Sequence, residues 1–356
     1  MKILLLSRYE DLGASSRIRS YQYLPYLRAQ GHDIHIVPLL SNFYLQQLYA
    51  YKRLPVVEIL SSYLHRSLLL LKSGSYDIIW LEYEAFPWIP HWLESLIMKS
   101  TVPYIVDYDD AIFHRYDQHP VRLVRILMER KIDKVMKHAA LVIAGNDYIK
   151  QHAIESGAKR VEILPTAVDL DRFTSRAPAQ NTEFTVGWIG TPQTVHYLET
   201  IKDALKIVCR NGQGRLVTIG STVKEFDGVS MESRRWSKET EVEELSKIDV
   251  GIMPLIDSLW EQGKSGNKLI HYMASSRAVV ASPVGVNRNI VENGVNGFLA
   301  SKTEEWATAL ETLRENRAQR EEMGRAGRQK VERLYCLSVT APRMARLLAD
   351  VAEGHR

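Results

Sequence analysis

Cysteine is almost missing from this chain of 356 residues: there are two, Cys209 and Cys336, and neither stands in a CxxC or other metal-ligand spacing. That argues against a disulfide framework and against zinc, and makes a reducing compartment the natural home. Long apolar runs are missing too. The stretch His65–Leu71 and its surroundings fall far short of the roughly 18 apolar residues a membrane span needs. The N-terminal MKILLLSRYEDLG stops being apolar at Ser7, too soon for a signal peptide, and reads as a buried first strand. Charge of one sign is scarce, with a net of +4, which does not recommend nucleic acid as a partner. No solenoid repeat and no low-complexity tract appears. A soluble protein, or one lying on a membrane surface, remains.

What is present is an ordinary globular composition, 45% hydrophobic and 25% charged, at a length that suggests about two domains. Short apolar runs alternate with segments of three- and four-residue apolar spacing. Strands are predicted at Ile3–Leu6, Ile34–Pro38, Ile78–Leu81, Tyr104–Val106, Leu141–Ala144 and Val161–Leu164. Apolar residues run through them without alternation, as expected when helices cover both faces of a parallel sheet. The pattern pauses over Asp169–Glu183, where Ser175, Pro178 and Asn181 suggest a linker. It resumes with strands at Thr185–Ile189, Arg215–Ile219, Val250–Met253, Ala278–Ala281 and Phe298–Ala300, and helices at Thr194–Arg210, Val242–Lys247, Asn267–Ser275 and Glu304–Leu313. The fold class is α/β, with two facing Rossmann-like, doubly wound domains and a cleft between them. The expected divisions are 1–170 and 171–337. In such sheets ligands bind beyond the carboxyl ends of the strands.

Four strand-end segments carry the chemistry. The loop SRYEDLGASSRIR (Ser7–Arg19) offers Gly13 for a close backbone approach, Ser15 and Ser16 as helix caps, and Arg17 and Arg19 as positive charge near a helix N-terminus, where phosphate is favoured. A capped helix with surface arginines is the plainer reading. The fourth strand runs into Asp107, Asp109 and Asp110, carboxylates whose crowding suits a sugar hydroxyl, a proton or a cation, or else a solvated turn. WEQGKSGNKLIHYMA (Trp260–Ala274) places Gly263, Ser265 and Gly266 before a helix starting near Asn267, with Lys264 and Lys268 flanking its free N–H groups. The pattern suits a pyrophosphate cradle, without the Walker A spacing, or else an ordinary glycine loop with solvated lysines. GWIGT (Gly187–Thr191) ends the second series' first strand, with Gly190 and Thr191 exposed to a ligand, while Trp236 is a base-stacking or packing aromatic. Tyr44, Tyr49 and Tyr51 line a groove or belong to the core.

KLIHYMASSRAVVASPVGVNRNIVENGVNGFLA, followed by REEMGRAGRQKVERLY, resembles the donor-binding signature and closing helices of the family-4 retaining glycosyltransferases of GT-B fold. The Gly13 loop, ILPTAVDLDRF and VGWIG extend the resemblance over nearly the whole chain. It implies a nucleotide-sugar donor held mainly by the second domain, at Gly190, Thr191, Lys264, Ser265, Gly266, Asn267, Lys268, Leu269 and His271, with Gly13 and Arg17 of the first domain also expected to bind it. It implies a glycan or lipid-linked acceptor on the first domain, a last helix near 338–356 crossing back onto that domain, and a setting in bacterial cell-surface polysaccharide assembly. Lys268 would neutralise the leaving diphosphate, and Asp107 or Asp109 would orient the sugar or acceptor hydroxyl, with no metal or other cofactor required.

The family usually carries two Glu eight positions apart. Here those positions hold Gly263 and His271, with Glu261 out of register. In relatives the second Glu contacts the donor ribose. The substitution keeps two alternatives open: another GT-B enzyme such as a nucleotide-sugar epimerase, or an inactive nucleotide-sugar-binding subunit. The basic, apolar-interleaved stretch His119–His138 suits the anionic inner face of the cytoplasmic membrane, or simply packs inward. The expected location is the cytoplasm, with or without such peripheral contact, and no nucleic acid is expected as a partner.

Overall fold

The computed structural model describes residues 1–50, 52–98, 102–173 and 183–354. Tyr51 and most of the expected linker, including Ser175, Pro178 and Asn181, lie outside the described residues. Contacts divide the chain into two compact units. The first comprises Met1–Thr166, Gln262–Ser265 and the chain from Ser338 onward; the second comprises Ala167–Glu261 and Gly266–Leu337.

The first unit is built on a six-stranded parallel sheet: β1 (Lys2–Leu6), β2 (Asp33–Ile36), β3 (Ile78–Glu82), β4 (Tyr104–Tyr108), β5 (Leu141–Ala144) and β6 (Val161–Ile163), in the order β2-β1-β3-β4-β5-β6. Every residue of β3 and β5 is buried, which accounts for their uninterrupted apolar character. Chain order reverses at β1, which is flanked by β2 and β3, so the loops after β1 and β3 open at the topological switch point. The helix Leu337–Glu353 joins this unit beyond its first residue. The hydroxyl of Tyr23 donates to Thr340 Oγ1 at 3.2 Å, and Arg343 donates to the Ile163 carbonyl at 2.8 Å.

The second unit carries another six-stranded parallel sheet: β7 (Phe184–Ile189), β8 (Gly214–Ile219), β9 (Ser230–Arg234), β10 (Val250–Met253), β11 (Ala278–Ala281) and β12 (Gly297–Leu299), in the order β12-β11-β10-β7-β8-β9. Here the order reverses between β7 and β10, so the loops beginning at Gly190 and Pro254 share the switch point. Helices cover both faces, and two apolar clusters form, one on Leu269, Tyr272 and Met273 and the other on Trp188, Leu205 and Trp306.

Three local expectations change. The sequence reading has no strand at Ser230–Arg234, because SMESR holds one apolar residue, Met231, and no apolar run. It is the edge strand, held through an ion-pair ladder in which Arg234 reaches Glu232 at 2.7 Å and Glu244 at 2.8 Å, and Arg215 reaches Glu232 at 3.4 Å. The expected helix over Thr194–Arg210 begins as a 3-10 turn, Val195–Ile201, and becomes α only at Lys202–Cys209. The stretch His119–His138 is two helices, Arg122–Met128 and Lys131–His138. The second packs inward through Ile132, Val135 and Met136. The first turns Leu123, Ile126 and Leu127 to solvent. No helix among the described residues is long and apolar enough to cross a membrane.

Candidate active site

In the second unit the segment after β10 leads to the helix Asn267–Ala274. Its N-cap, Gly266, sits in the left-handed region at φ 69°, a conformation that costs most side chains steric energy, and a Cβ there would lie 2.2 Å from Ile290 Cδ1. No side chain caps this helix, so its first turn keeps the partial positive charge that attracts anions. Lys268, in that first turn, holds Nζ 5.5 Å from the centroid of the buried Trp188 ring at the end of β7. Leu269 is wholly buried and serves the core. Gly190 and Thr191 follow β7, and a Cβ on Gly190 would lie 2.4 Å from the Trp188 ring and 2.9 Å from Thr194 Oγ1. Trp236, half-buried, packs against the apolar cluster. Glu261 is buried and accepts hydrogen bonds from the hydroxyls of Tyr197 and Ser258.

His271 lies one helical turn beyond Lys268. Its Nδ1 is 2.9 Å from Glu241 Oε1, and the other carboxylate oxygen of Glu241 meets Arg172 at 3.4 Å. Phe173 closes edge-on against the imidazole, centroids 5.4 Å apart. Glu241 and Arg172 were not singled out by the sequence reading, because each lies at least thirty positions from His271.

In the first unit, the helix Ala14–Arg19 is capped by Gly13, not by serine. Ser16 lies inside the helix, accepting from the Tyr9 amide at 2.9 Å and donating to Glu82 at 2.6 Å. Gly13 is required by Tyr9, whose Cβ would stand 2.4 Å from an added Cβ. Arg17 donates to the carbonyls of Asp11 and Leu12, at 3.0 and 3.2 Å, steadying its own loop. Arg19 is buried, binding Asp107 at 2.8 Å and the Leu164 carbonyl at 2.8 Å. The expectation of Arg19 as surface charge for phosphate is thus corrected: its guanidinium is consumed by a carboxylate of the neighbouring strand. Tyr44 and Tyr49 lie on the helix Asn42–Tyr49, partly exposed, with Tyr44 stacked on Tyr9 at 6.5 Å.

The carboxylates at the end of β4 differ in surroundings. Burial pushes the Asp107 carboxyl up to about 6 against the pull of Arg19. Burial, reinforced by the charge of Asp110, pushes Asp109 up to about 7, although the Tyr83 hydroxyl donates to it. Asp110 is more exposed and pairs with Lys264 at 3.0 Å. Lys264 belongs to the short segment Gln262–Ser265, whose carbonyls at Gly263 and Lys264 accept from the Asn146 amide at 2.9 and 3.2 Å. A Cβ on Gly263 would lie 2.3 Å from Ala111 Cβ. The structure therefore separates the predicted cradle: Gly266, Asn267 and Lys268 stand in the second unit, whereas Lys264 and Ser265 count with the first.

Two family models match. Residues 19–172 fit the model described as Glycosyltransferase Family 4, and residues 183–316 fit Glycosyl transferases group 1, so the matches together span most of the chain. The chain belongs to glycosyltransferase family 4. Its solved structural neighbours share the GT-B fold. The transferase is similar to HepE of Anabaena in complex with UDP, with a TM-score of 0.71, 15% identity, and 98% of this chain and 100% of that chain covered. The same protein in complex with UDP-glucose gives 0.67, 16%, 98% and 100%. Sucrose-phosphate synthase from Thermosynechococcus elongatus gives 0.70, 14%, 99% and 100%. No curated protein matches the transferase by sequence.

Proposed function

We propose that this glycosyltransferase takes its sugar from a nucleoside-diphosphate donor bound by the second unit, and delivers it with retention to a hydroxyl of a glycan or lipid-linked acceptor bound by the first. The observation that carries the donor reading is the uncapped N-terminus of the helix Asn267–Ala274 at the switch point, opened by left-handed Gly266 and flanked by Lys268. Backbone N–H groups at a helix start and an ammonium in the same turn suit a diphosphate. The UDP and UDP-glucose complexes of HepE support a ligand of this class.

In the reaction the bond from sugar C1 to the diphosphate oxygen breaks, the acceptor oxygen bonds to C1, and the acceptor's hydroxyl proton leaves with the departing diphosphate. Lys268 and the amides at Gly266–Asn267 stabilise the charge that grows on the departing diphosphate; one such donor is worth roughly 3–4 kcal/mol. Gly190 and Thr191 border the same switch point, and Ser265 precedes the cradle. Asp109 is the better placed of the two candidate carboxylates to orient a hydroxyl, since Asp107 is committed to Arg19. Lys264, Gly13 and Arg17 act by shaping their own loops.

The acceptor is proposed to be reached at an anionic lipid surface on the cytoplasmic side, as in the assembly of bacterial cell-surface glycans. Support comes from Leu123, Ile126 and Leu127, which are more than half exposed beside exposed Arg122 and Arg130, and from Trp92, which lines one shallow cavity with Ile126 and Leu127.

The decisive experiment is a thermal-shift screen against UDP, GDP, dTDP, ADP and CMP, followed by transfer assays with the matching sugar conjugates. A ligand bound only by the folded state raises its stability. Stabilisation by one nucleotide and turnover of its conjugate are expected. A folded protein that responds to none of them overturns the donor reading. Binding without any sugar release makes the chain a nucleotide-sugar-binding subunit instead.

A further inference from the structure

We infer that the outer face of the helix Val56–Leu71 is the contact through which two copies of this chain pair, antiparallel, about a two-fold axis at Leu64. The inference stands apart from the donor reading and holds or fails without it.

This helix is amphipathic in the reverse sense. The side that docks on the first unit is largely polar. Buried Arg66 donates to the carbonyls of Ser7 and Val37, both at 2.6 Å, and to that of Ala85 at 3.2 Å. The Tyr63 hydroxyl donates to the Pro87 carbonyl at 2.8 Å. Of the apolar side chains on the helix only Leu70 is buried. Val56, Val57, Leu60, Leu64, Leu68 and Leu71 are each more than half exposed. The last five of these fall in one stripe about 80° wide at 3.6 residues per turn. A helix normally turns such a stripe toward a core, and a contiguous exposed apolar patch of this size marks a contact surface.

Spacing, charge and size say what covers it. Val57, Leu60, Leu64, Leu68 and Leu71 stand three, four, four and three positions apart, which reads the same from either end. An antiparallel copy therefore sets Val57 on Leu71, Leu60 on Leu68 and Leu64 on its own counterpart, the self-complementarity that a two-fold contact requires. Glu58 and Lys72 lie along one edge of the stripe. The same pairing brings Lys72 of one copy level with Glu58 of the other to within about 3 Å along the axis, and does so twice. Ser41 occupies Oε1 of Glu58, and the second oxygen faces that ammonium. The six side chains expose on the order of 600 Å² per copy, so that a pair buries on the order of 1,200 Å², the lower end for a specific interface. A lipid surface fits less well. The one lysine or arginine between positions 56 and 71 is Arg66, and it points inward, whereas exposed Arg122 and Arg130 flank the apolar side chains of the helix Arg122–Met128.

The test is light scattering on the full chain across a concentration series, without detergent. The wild-type mass should rise to that of a dimer. Leu64→Glu and Leu64→Lys, with unchanged melting temperatures, should each weaken pairing by about a hundredfold, because like charges then meet at the axis. An equimolar mixture of the two should recover the dimer. Cysteine cross-linking reads the register, since Cys209 and Cys336 are buried. Leu64→Cys should form an intermolecular disulfide on mild oxidation. Val57→Cys alone should not, because the two copies of that position lie about 21 Å apart, yet it should cross-link to Leu71→Cys when the two are mixed. A wild-type chain that stays monomeric overturns the inference, as does a dimer indifferent to Leu64→Glu or a cross-link formed by Val57→Cys alone. Anionic vesicles that bind the monomeric wild-type chain but not Leu64→Glu would overturn it by giving the face to lipid.

Discussion

Lys131 Nζ lies 2.7 Å from Glu84 Oε2 inside the first unit, with neither side chain exposed, and reaches Glu94 at 3.0 Å on its other side. Burial pushes Glu84 up, but Lys131 and Arg8 outweigh it and hold the carboxyl below its usual range. Glu94, with less compensation, stays raised by burial. Lys131→Met leaves two buried carboxylates with too little positive charge, at a cost of about 3–5 kcal/mol. At roughly 2–4 °C per kcal/mol for chains near this size, Tm should fall by about 10 °C at pH 8. The deficit should shrink toward pH 5, where the carboxyls of the variant take up protons. A Tm within a degree or two of wild type would show that the lysine is not the keystone of this cluster.

Asp109 yields a pH signature. Its carboxyl is raised to about 7 from an ordinary 3.8, so the folded state binds a proton that the unfolded state has already released. Across pH 4 to 7 the unfolded chain binds fewer protons, and this group lowers stability as pH rises. Asp109→Asn removes the penalty. Its Tm relative to wild type should be close at pH 4.5 and several degrees higher at pH 8, while transferase activity falls. Urea melts at the two pH values check this; a difference independent of pH would mean that the carboxyl titrates normally.

Lys268→Ala should weaken nucleoside-diphosphate binding by roughly ten- to a hundredfold, the range for a hydrogen bond to a charged group. It should reduce kcat as well, because the interaction strengthens as the leaving group gains charge. Lys264→Ala, which breaks the pair with Asp110, should change nucleotide affinity much less. Titration of both variants with UDP or whichever nucleotide stabilises the protein separates the two lysines. Equal losses would return Lys264 to the cradle.

Gly263→Glu, which restores the acid that relatives carry, should destabilise the protein by about 1–3 kcal/mol. The new Cβ would stand 2.3 Å from Ala111 Cβ and 2.8 Å from its amide nitrogen. Gly263→Ala should show most of the same cost, and adding Ala111→Gly should return part of it. Full stability of Gly263→Ala in a denaturant melt would show that the loop relaxes freely.

The sequence disclosed elements whose identity depends on local pattern, and hid those that depend on distant partners. Continuous apolar runs marked β3, β5, β10 and β11 because burial on both faces demands them. β9 escaped because an edge strand can be polar. The start of the helix Asn267–Ala274 after Gly266, with Lys268 in its first turn, was legible from a few adjacent residues. Arg19 and Asp107 were both noticed, but as separate ligands; only the pairing of β3 with β4 and the placement of the first helix bring them together. Glu241 carried no local mark. Its significance arises from a helix that folds back to meet His271.

The charged ladder on β9 also bears on how the molecule behaves in crowded solution. Its strand offers unpaired backbone groups on one side, the feature that lets sheets of different molecules join. Arg234 and Glu232 clothe that border with opposite charges that a neighbouring strand would have to strip of water. A ribbon of valines there would pair as readily with another molecule as with β8. The polarity that concealed this strand from pattern reading also makes its border a poor template for a strand of another copy.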